Sequence, residues 1–300
     1  MKFSVIIPTF NRAQLVLKSV RSALESEGNG FEVIVVDDGS TDETESLLRT
    51  IQDTRLRYIK KNNGERASAR NFGAAQARGE YLNFFDSDDR MLPSHLTEAD
   101  KCVQSLGRPE VFALGYRVEN ALGKRSRTVG RLPDPMNLEF IRGNPLGCNP
   151  VFVRRDIFAG LSFKEDRDLA GSEDILLWLQ LSARYPFRFW PSVTSVLLDH
   201  DSRSVYGYSE AALEARNETL LRYLETDSVF MNCYGSHLRQ IRAQRHIYTA
   251  VHLAVAGFHF LPLKHLAIAA RLKLRSLFQA GTAGTLKLVF LGFFRTYRSG

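Results

Sequence analysis

The chain has 300 residues, of which 44% are hydrophobic and 24% are charged. That composition is typical of a globular protein with one large domain or two modest ones, and it excludes an intrinsically disordered chain. The three cysteines are widely spaced and form no Cys-x-x-Cys pair, which excludes a zinc ribbon or a disulfide framework and indicates a reducing compartment.

The net charge of +7 is concentrated at one end of the sequence. Residues 236–300, the basic tail, contain ten Lys and Arg residues and no Asp or Glu, whereas residues 1–235 contain 30 basic and 33 acidic residues. No apolar stretch has the length and composition of a signal peptide or of a membrane-spanning helix. We therefore expect a cytoplasmic protein in which the basic tail is a distinct region.

Strand and helix signals alternate over the first ninety residues. Asn11, followed three residues later by Gln14, predicts the N-cap of the first helix. Strands separated by single helices predict a mostly parallel sheet with helices on its faces. The predicted strands are residues 3–7, 31–36, 56–60 and 81–85, and the predicted helices end near residues 24, 51 and 78.

The pattern is less regular beyond residue 90. The region begins with a proline-led helix and ends in structure that is helical throughout from about residue 210 onward. Between them lies a segment rich in Pro, Gly and Asn that predicts a loop. The predicted elements are a helix at 93–106, a strand at 111–119, the loop at 131–150, a helix at 172–185 and strands at 187–190 and 193–199.

Polar segments follow three of the predicted strands, at the point where each strand ends. Residues 8–12 (Pro-Thr-Phe-Asn-Arg) follow the first strand, residues 37–42 (Asp-Asp-Gly-Ser-Thr-Asp) the second, and residues 86–89 (Asp-Ser-Asp-Asp) the fourth. Any one of them alone is consistent with a turn and a helix cap. Because ligands bind at the carboxyl ends of parallel strands, three such segments at one sheet edge predict a binding site.

The segment 86–89 carries three carboxylates, which repel one another unless a cation lies among them. Carboxylate oxygens are hard ligands that suit Mg²⁺ or Mn²⁺ bridging a diphosphate. The sequence has no Gly-rich phosphate-binding loop, so a bound diphosphate would be neutralised by the metal and by basic side chains such as Arg70. We therefore predict a divalent metal, Mn²⁺ or Mg²⁺, as the cofactor.

Four segments resemble, in order and spacing, the successive motifs of the family 2 glycosyltransferases. They are residues 5–12, 35–42, 69–71 (Ala-Arg-Asn) and 85–89, and the resemblance extends from residue 1 to about residue 200. It implies an α/β fold of the GT-A type, with a Rossmann-like, mostly parallel central sheet and flanking helices. We expect this glycosyltransferase domain to comprise residues 1–210, and residues 211–300 to form a basic helical C-terminal appendage.

The resemblance also implies a nucleotide-sugar donor, with a UDP-sugar favoured, and an inverting transfer. It assigns the segment after the first strand to the nucleotide pocket. It places the second aspartate of the next motif at the nucleobase and the Ala-Arg-Asn arginine at the nucleotide. The residues implied are Pro8, Thr9, Phe10, Arg12, Asp38 and Arg70.

The same resemblance implies a set of metal-site residues. Asp88 would ligate the metal, Asp86 would lie near the ribose and the metal-bound waters, and Asp89 would share either role. His200 lies in a context similar to the family's His-x-x-Ser/Arg pattern, which implies a further metal ligand, with Arg203 on a phosphate. The alternative for His200 and Arg203 is a polar loop after a strand.

Direct displacement at the anomeric carbon requires a carboxylate that accepts the proton of the attacking hydroxyl. Glu173 and Asp174 precede an amphipathic helix and are similar to the family's Glu-Asp motif. The resemblance implies that Asp174 is the base and that Glu173 orients it or binds the acceptor. The alternative is that both acids only cap the helix.

Apolar runs alternate with Lys and Arg along the basic tail. This pattern predicts basic amphipathic helices that hold the protein on an anionic membrane, peripherally on its cytoplasmic face. The alternative is a small helical bundle whose charges are solvated. We expect no nucleic acid as a partner because no recognised binding motif accompanies the charge.

The predicted reaction is transfer of a hexosyl or N-acetylhexosaminyl group to a hydroxyl of a glycan or of a lipid-linked acceptor. One alternative is a metal-dependent nucleotidyltransferase, which would typically have a Gly-rich, Lys-containing loop where residues 8–12 lie. Another is a non-catalytic membrane-associated adaptor that retains the motifs.

Overall fold

The computed structural model describes residues 1–120, 123–199 and 208–278, which divide into two compact units. The first unit comprises Met1–Met136, Pro145–Leu177 and the described part of Tyr185–His200. The second unit comprises Asn137–Asn144, Trp178–Arg184 and the described part of Asp201–Gly300.

The first unit begins with the alternation of strands and helices that the sequence predicts. Its elements are β1 (Phe3–Thr9), α1 (Ala13–Leu24), β2 (Phe31–Asp37), α2 (Thr44–Leu48), β3 (Leu56–Lys60), α3 (Glu65–Gln76) and β4 (Tyr81–Phe84). The strands pair in parallel in the order β3-β2-β1-β4. Every residue of β1 and β2 is buried, as expected for parallel strands covered on both faces. The predicted parallel arrangement of these strands is confirmed.

The sheet becomes mixed after β4. The further elements are β5 (Arg90–Met91), α4 (His95–Ser105), β6 (Val111–Asn120), β7 (Arg125–Val129), β8 (Val151–Arg154), α5 (Arg155–Gly160), α6 (Glu173–Ser182) and β9 (Phe187–Asp199). Strand β8 lies between β4 and β6 and is antiparallel to both. Strand β6 pairs in parallel with β9. Strand β5 is antiparallel to β9, and β7 is antiparallel to β6. The sequence pattern predicts neither β5, β7, β8 nor α5.

The two strands predicted at residues 187–190 and 193–199 are one strand, β9, which continues through Pro191. Proline has no N–H to donate to a ladder, so the neighbouring strand must adjust. The β6–β9 register shifts on both sides of Gly115. A Cβ at Gly115 would lie 2.9 Å from the carbonyl oxygen of Val129 and 3.0 Å from that of Ser192. Only glycine permits so close an approach, and this explains how the strand tolerates its proline.

The core of the first unit lies between one face of the sheet and the helices α1 and α4. Alternate residues of β1 and β2 point into it because successive side chains of a strand face opposite ways. The ring of Phe112 on β6 stacks on that of Phe152 on β8, with centroids 4.9 Å apart. The core includes Val5, Ile7, Val16, Val20, Val33, Val35, Leu96 and Ala99.

The second unit is helical. It contains α7 (Glu210–Thr226), α8 (Ser228–Tyr234), α9 (Leu238–Val255) and α10 (Phe260–Lys273), followed by the 3-10 turn Leu274–Phe278. Helices α9 and α10 share a small core of Ala243, Ile247, Ala250, Leu266 and Ala269. Within the described residues, no helix is both long enough and apolar enough to cross a bilayer.

Candidate active site

The carboxyl ends of β1, β2 and β4 lie side by side and carry the three polar segments. Thr9 at the end of β1 is the register partner of Asp37 at the end of β2. The next residue after β4, Phe85, donates its N–H to the Ile6 carbonyl at 2.9 Å. The residues that follow these strands therefore meet at one sheet edge, where an open α/β sheet binds ligands.

The loops after β1 and β2 are tied directly to each other. The Asn11 N–H donates to Ser40 Oγ at 2.9 Å, and the Thr41 N–H donates to Asn11 Oδ1 at 2.8 Å. Asn11 does not cap α1, contrary to the prediction, because it adopts a left-handed φ of 51° and its side chain turns to the neighbouring loop. Asp42 Oδ2 instead accepts the N–H of Ala13, the first residue of α1, at 3.1 Å.

Asp38 is buried and held in place by the chain that follows β3. Its carboxylate accepts hydrogen bonds from Lys61 Nζ at 2.7 Å and from the Gly64 N–H at 3.0 Å. Its backbone N–H donates to the Thr9 carbonyl at 2.9 Å, which connects it to the β1 segment. Lys61 is a residue that the motif analysis missed, since a lysine at the end of an edge strand carries no distinguishing pattern.

The β1 segment presents two side chains of opposite character at this edge. Thr9 is buried, and among the described residues its Oγ1 has no hydrogen-bond partner. Phe10, the next residue, is exposed. Pro8, which precedes them, is buried within β1.

Arg12 reaches the segment after β4. Its Nη1 lies 2.7 Å from Asp88 Oδ2, and Asp88 is buried. A guanidinium thus supplies the positive charge that a carboxylate cluster requires. Asp86 and Asp88 together offer hard oxygen donors of the kind that bind Mg²⁺ or Mn²⁺ alongside substrate phosphates, so the residues fit the predicted metal.

Asp89 makes contacts of a different kind. Its Oδ1 accepts the N–H of Leu198 at 2.7 Å, and its Oδ2 accepts a hydrogen bond from Asn149 Nδ2. Asn149 Oδ1 in turn accepts the Asp86 N–H at 2.8 Å. Asn149 therefore clamps the 86–89 turn at both ends. Asn149 lies in the predicted loop at 131–150, and its sequence context predicts no role for it.

Arg70 joins the segment after β4 to the start of α6. Its Nη2 donates to Asp86 Oδ1 and its Nη1 to Glu173 Oε1, each at 2.7 Å. Arg70 and Glu173 are both buried, and the guanidinium lies 5.3 Å from the ring centroid of Phe163. Burial alone raises the pKa of Glu173, but Arg70 and Arg66 outweigh it and hold that pKa below its usual value. Glu173 is therefore ionised.

Asp174 lies beside Glu173 and is half-buried. Its Oδ1 accepts the N–H of Ile175 at 2.7 Å, so it also contributes to the start of α6. The pKa of the nearby Cys148 thiol lies well above its usual value, chiefly because the thiol is buried. Asp86, Asp174 and Glu173 raise this pKa further, and Arg70 opposes them. The structure thus brings both acidic motifs and Arg70 together around one buried thiol.

His95 belongs to the core. Its Nδ1 lies 2.8 Å from Thr194 Oγ1 and its Nε2 lies 3.4 Å from Asn83 Oδ1. Burial lowers the pKa of His95 to about 3, so the imidazole is neutral near pH 7. His200 and Arg203, which the sequence analysis assigned to metal and phosphate, lie outside the described residues.

Comparison with known proteins identifies relatives of this chain. A family model described as Glycosyl transferase family 2 matches residues 4–167. An uncharacterized glycosyltransferase of Rickettsia bellii is 31% identical over 187 residues, which are 61% of this chain and 26% of that protein. The match thus spans about a quarter of that relative's length.

Solved structures share the fold. S. aureus TarS 1–349 in complex with UDP-GlcNAc superposes with a TM-score of 0.64 at 17% identity, covering 91% of each chain. The mannosyltransferase PcManGT from Pyrobaculum calidifontis, in complex with GDP-Man and Mn²⁺, gives a TM-score of 0.60 at 20% identity, covering 99% of this chain and 80% of that one. These likenesses confirm the predicted GT-A fold.

Proposed function

The chain belongs to glycosyltransferase family 2, and on that basis we propose that it is an inverting glycosyltransferase. It moves a hexosyl or N-acetylhexosaminyl group from a nucleotide sugar, most favourably a UDP-sugar, to a hydroxyl of a glycan or lipid-linked acceptor. The observation that carries the proposal is the position of Arg70. It donates hydrogen bonds both to Asp86, in the metal motif at residues 86–89, and to Glu173, beside the proposed catalytic base Asp174. Donor and base chemistry then meet at one sheet edge.

The nucleotide is bound by the segments after β1 and β2. Lys61 and the Gly64 N–H fix Asp38, whose carboxylate lies near the expected position of the nucleobase. The exposed ring of Phe10 offers a stacking surface for the nucleobase. The complex of TarS with UDP-GlcNAc supports a UDP-sugar, whereas PcManGT is in complex with GDP-Man.

Asp88 and Asp86 would hold the divalent metal, which would supply positive charge to the departing diphosphate. Arg12 pairs with Asp88, so its guanidinium lies beside the metal motif, where it would also suit a diphosphate oxygen. Asp89 keeps the turn in place through Asn149 and Leu198, so we assign it to positioning rather than to ligation. His200 and Arg203 remain predictions for this site.

Asp174 acts as the base. The acceptor hydroxyl gives its proton to the Asp174 carboxylate while its oxygen forms the new bond to the anomeric carbon, and the bond from that carbon to the diphosphate breaks. The bonding electrons leave with the nucleoside diphosphate. Glu173 is fixed by Arg70 and by the Gly171 N–H at 2.6 Å, so it orients the start of α6 and does not take the proton.

The α10 region provides the surface that meets a membrane. Phe260, Leu274 and Phe278 are 76%, 60% and 81% exposed. The exposed cations Arg271, Lys273 and Arg275 lie close to Leu274 and Phe278 in the sequence, in a tail without acidic residues. Exposed apolar side chains interleaved with positive charge suit an anionic lipid surface, at which a lipid-linked acceptor would lie.

The proposed activity is tested by incubating the full chain with UDP-GlcNAc, UDP-glucose, GDP-mannose and dTDP-glucose, each with Mn²⁺ or with EDTA. We expect Mn²⁺-dependent release of nucleoside diphosphate from a UDP-sugar, together with Mn²⁺-dependent donor binding in calorimetry. Release of pyrophosphate from a nucleoside triphosphate and a sugar phosphate would indicate the nucleotidyltransferase alternative. Absence of any nucleotide binding would indicate the adaptor alternative.

A further inference from the structure

Three metal-binding side chains of the second unit lie close together. Glu210 and Glu214 stand one turn apart on α7, and His265 lies on α10. His265 Nε2 is 3.0 Å from Glu210 Oε1 and 3.9 Å from Glu214 Oε1. One ligand atom of each residue lies within 4.8 Å of the other two, and no other group of His, Cys, Asp or Glu in the described residues is arranged in this way.

Small side-chain adjustments would bring these separations to the geometry of a bound zinc ion. Zinc lies about 2.0–2.2 Å from imidazole nitrogen and carboxylate oxygen, so ligand atoms at the corners of a tetrahedron stand about 3.3–3.6 Å apart. The two measured separations, 3.0 and 3.9 Å, fall on either side of that value. The Glu214 side chain is 44% exposed and therefore free to rotate by the small amount needed.

His246 on α9 lies behind His265 in the position of an orienting partner. The two Nδ1 atoms are 3.0 Å apart, so one of them carries the proton that joins the rings. Because the Glu210 carboxylate can only accept, His265 Nε2 carries a proton in that contact. A metal would displace this proton, and His265 would then donate from Nδ1 to His246 Nδ1, which is the tautomer that leaves Nε2 free to bind a metal. His265 is fully buried, so its ring is held in this orientation.

A side-chain cation already neutralises the two carboxylates. Lys264 Nζ lies 2.8 Å from Glu210 Oε1 and 3.8 Å from Glu214 Oε1. Lys264 is 53% exposed, so its ammonium can move into solvent. A divalent cation that also binds the buried imidazole of His265 would replace the Lys264 ammonium.

From these contacts we infer that Glu210, Glu214 and His265 form a zinc site in the second unit. His246 orients His265, and Lys264 competes with the ion. One imidazole and two carboxylates suit Zn²⁺, with water in the fourth position. A bound ion would fasten α7 to α10, so the site stabilises the helical unit and takes no part in sugar transfer.

The test is calorimetric titration of Zn²⁺ into the full chain without nucleotide, in the Asp88→Asn background, which weakens metal binding at the donor site. We expect one binding event, at least tenfold weaker in Glu214→Gln and about 10–100-fold weaker in His246→Phe. Lys264→Gln should bind Zn²⁺ more tightly, because the competing ammonium is gone. The Tm should rise by about 5 °C when free Zn²⁺ is at about a hundred times its Kd.

Glu218→Gln is the matched control, since Glu218 is exposed one turn farther along α7 and the substitution removes the same charge. It should titrate like the parent. If Glu214→Gln also titrates like the parent, or if Lys264→Gln binds Zn²⁺ more weakly, the inference is wrong and the four side chains form an ion-pair network only. This outcome is independent of whether the chain transfers sugar.

Discussion

Arg70 and Glu173, which are 103 residues apart in the sequence, form a buried ion pair at 2.7 Å. The second guanidinium nitrogen of Arg70 bonds Asp86 at the same distance. A buried charge is costly unless it is paired and hydrogen-bonded, so each of these groups depends on the others. The sequence analysis assigned Arg70 to the nucleotide; its contacts support a positioning role between the two acidic motifs.

We expect Arg70→Gln to lower the free energy of unfolding by about 3–5 kcal/mol, because it leaves Glu173 buried without its counter-ion. Urea unfolding of the full chain measures this. The double variant Arg70→Gln/Glu173→Gln should recover part of the loss, since neither charge then remains. If the losses from the two single substitutions simply add, the pair is not coupled in the way the contact indicates.

Asp88→Asn should remove the Mn²⁺-dependent gain in UDP affinity, because an amide is a poorer metal ligand than a carboxylate and no longer pairs with Arg12. Calorimetry of UDP with Mn²⁺ and with EDTA measures the gain. Asp156→Asn is the matched control, an exposed aspartate paired with Arg154 elsewhere in the first unit. An unchanged Mn²⁺-dependent gain in Asp88→Asn would place the metal elsewhere.

Asp174→Asn should lower turnover by about 10²–10⁴-fold, the range expected when a positioned base is lost. Donor binding should hardly change, because Asp174 faces the acceptor in the proposed reaction. Single-turnover kinetics with a competent acceptor separates the two effects. Near-normal turnover with normal folding would show that Asp174 only caps α6, through its contact with the Ile175 N–H.

The parallel half of the sheet was predictable because its information is local. Continuous apolar runs fixed β1, β2 and β4, and the carboxylates that follow them lie where parallel strands end. The four-residue strand β8 was not predictable, since it forms only by pairing with β4 and β6 on either side. Asn149 precedes β8 by two residues, so its place beside Asp86 and Asp89 depends on that long-range pairing.

The start of α1 shows the same limit at a single residue. Asn11 and Gln14 have the spacing of a capping box, but in the structure it is Asp42 that accepts the N–H of Ala13 at the start of α1. That residue lies in the loop after β2, which approaches α1 only because β1 and β2 pair. A local pattern therefore located the helix correctly and assigned its cap to the wrong residue.

His95 should make stability depend on pH in a defined window. Burial lowers its pKa from 6.5 to about 3 in the folded chain, so between these values the unfolded chain binds a proton that the folded chain does not. Stability therefore falls as pH decreases below 6.5, by up to about 1.4 kcal/mol per pH unit. From pH 6.5 to 5.0 the wild type should lose about 1.5 kcal/mol more than His95→Gln in urea unfolding. Equal losses would contradict a neutral buried His95.

The basic tail should hold the full chain on anionic vesicles. The variant Arg271→Gln/Lys273→Gln/Arg275→Gln removes three exposed charges near the exposed Phe278. At about 1 kcal/mol per basic residue near the surface, partitioning should weaken about 100-fold. Co-sedimentation with vesicles of phosphatidylglycerol and phosphatidylcholine at low salt measures it. Because this attraction is screened within about 8 Å at physiological salt, binding should also weaken as salt rises.

The matched control for the tail is Lys18→Gln/Arg49→Gln/Lys101→Gln, which removes three exposed charges from the first unit and lowers the net charge equally. It should partition like the wild type, because attraction to the vesicle depends on where the charge lies and not on its total. Phe260→Ser/Phe278→Ser tests the apolar contribution and should weaken binding even at high salt, where the charges are screened. Equal weakening by both charge variants would reduce the effect to net charge. Absence of binding by the wild type would leave the basic tail as a solvated helical bundle.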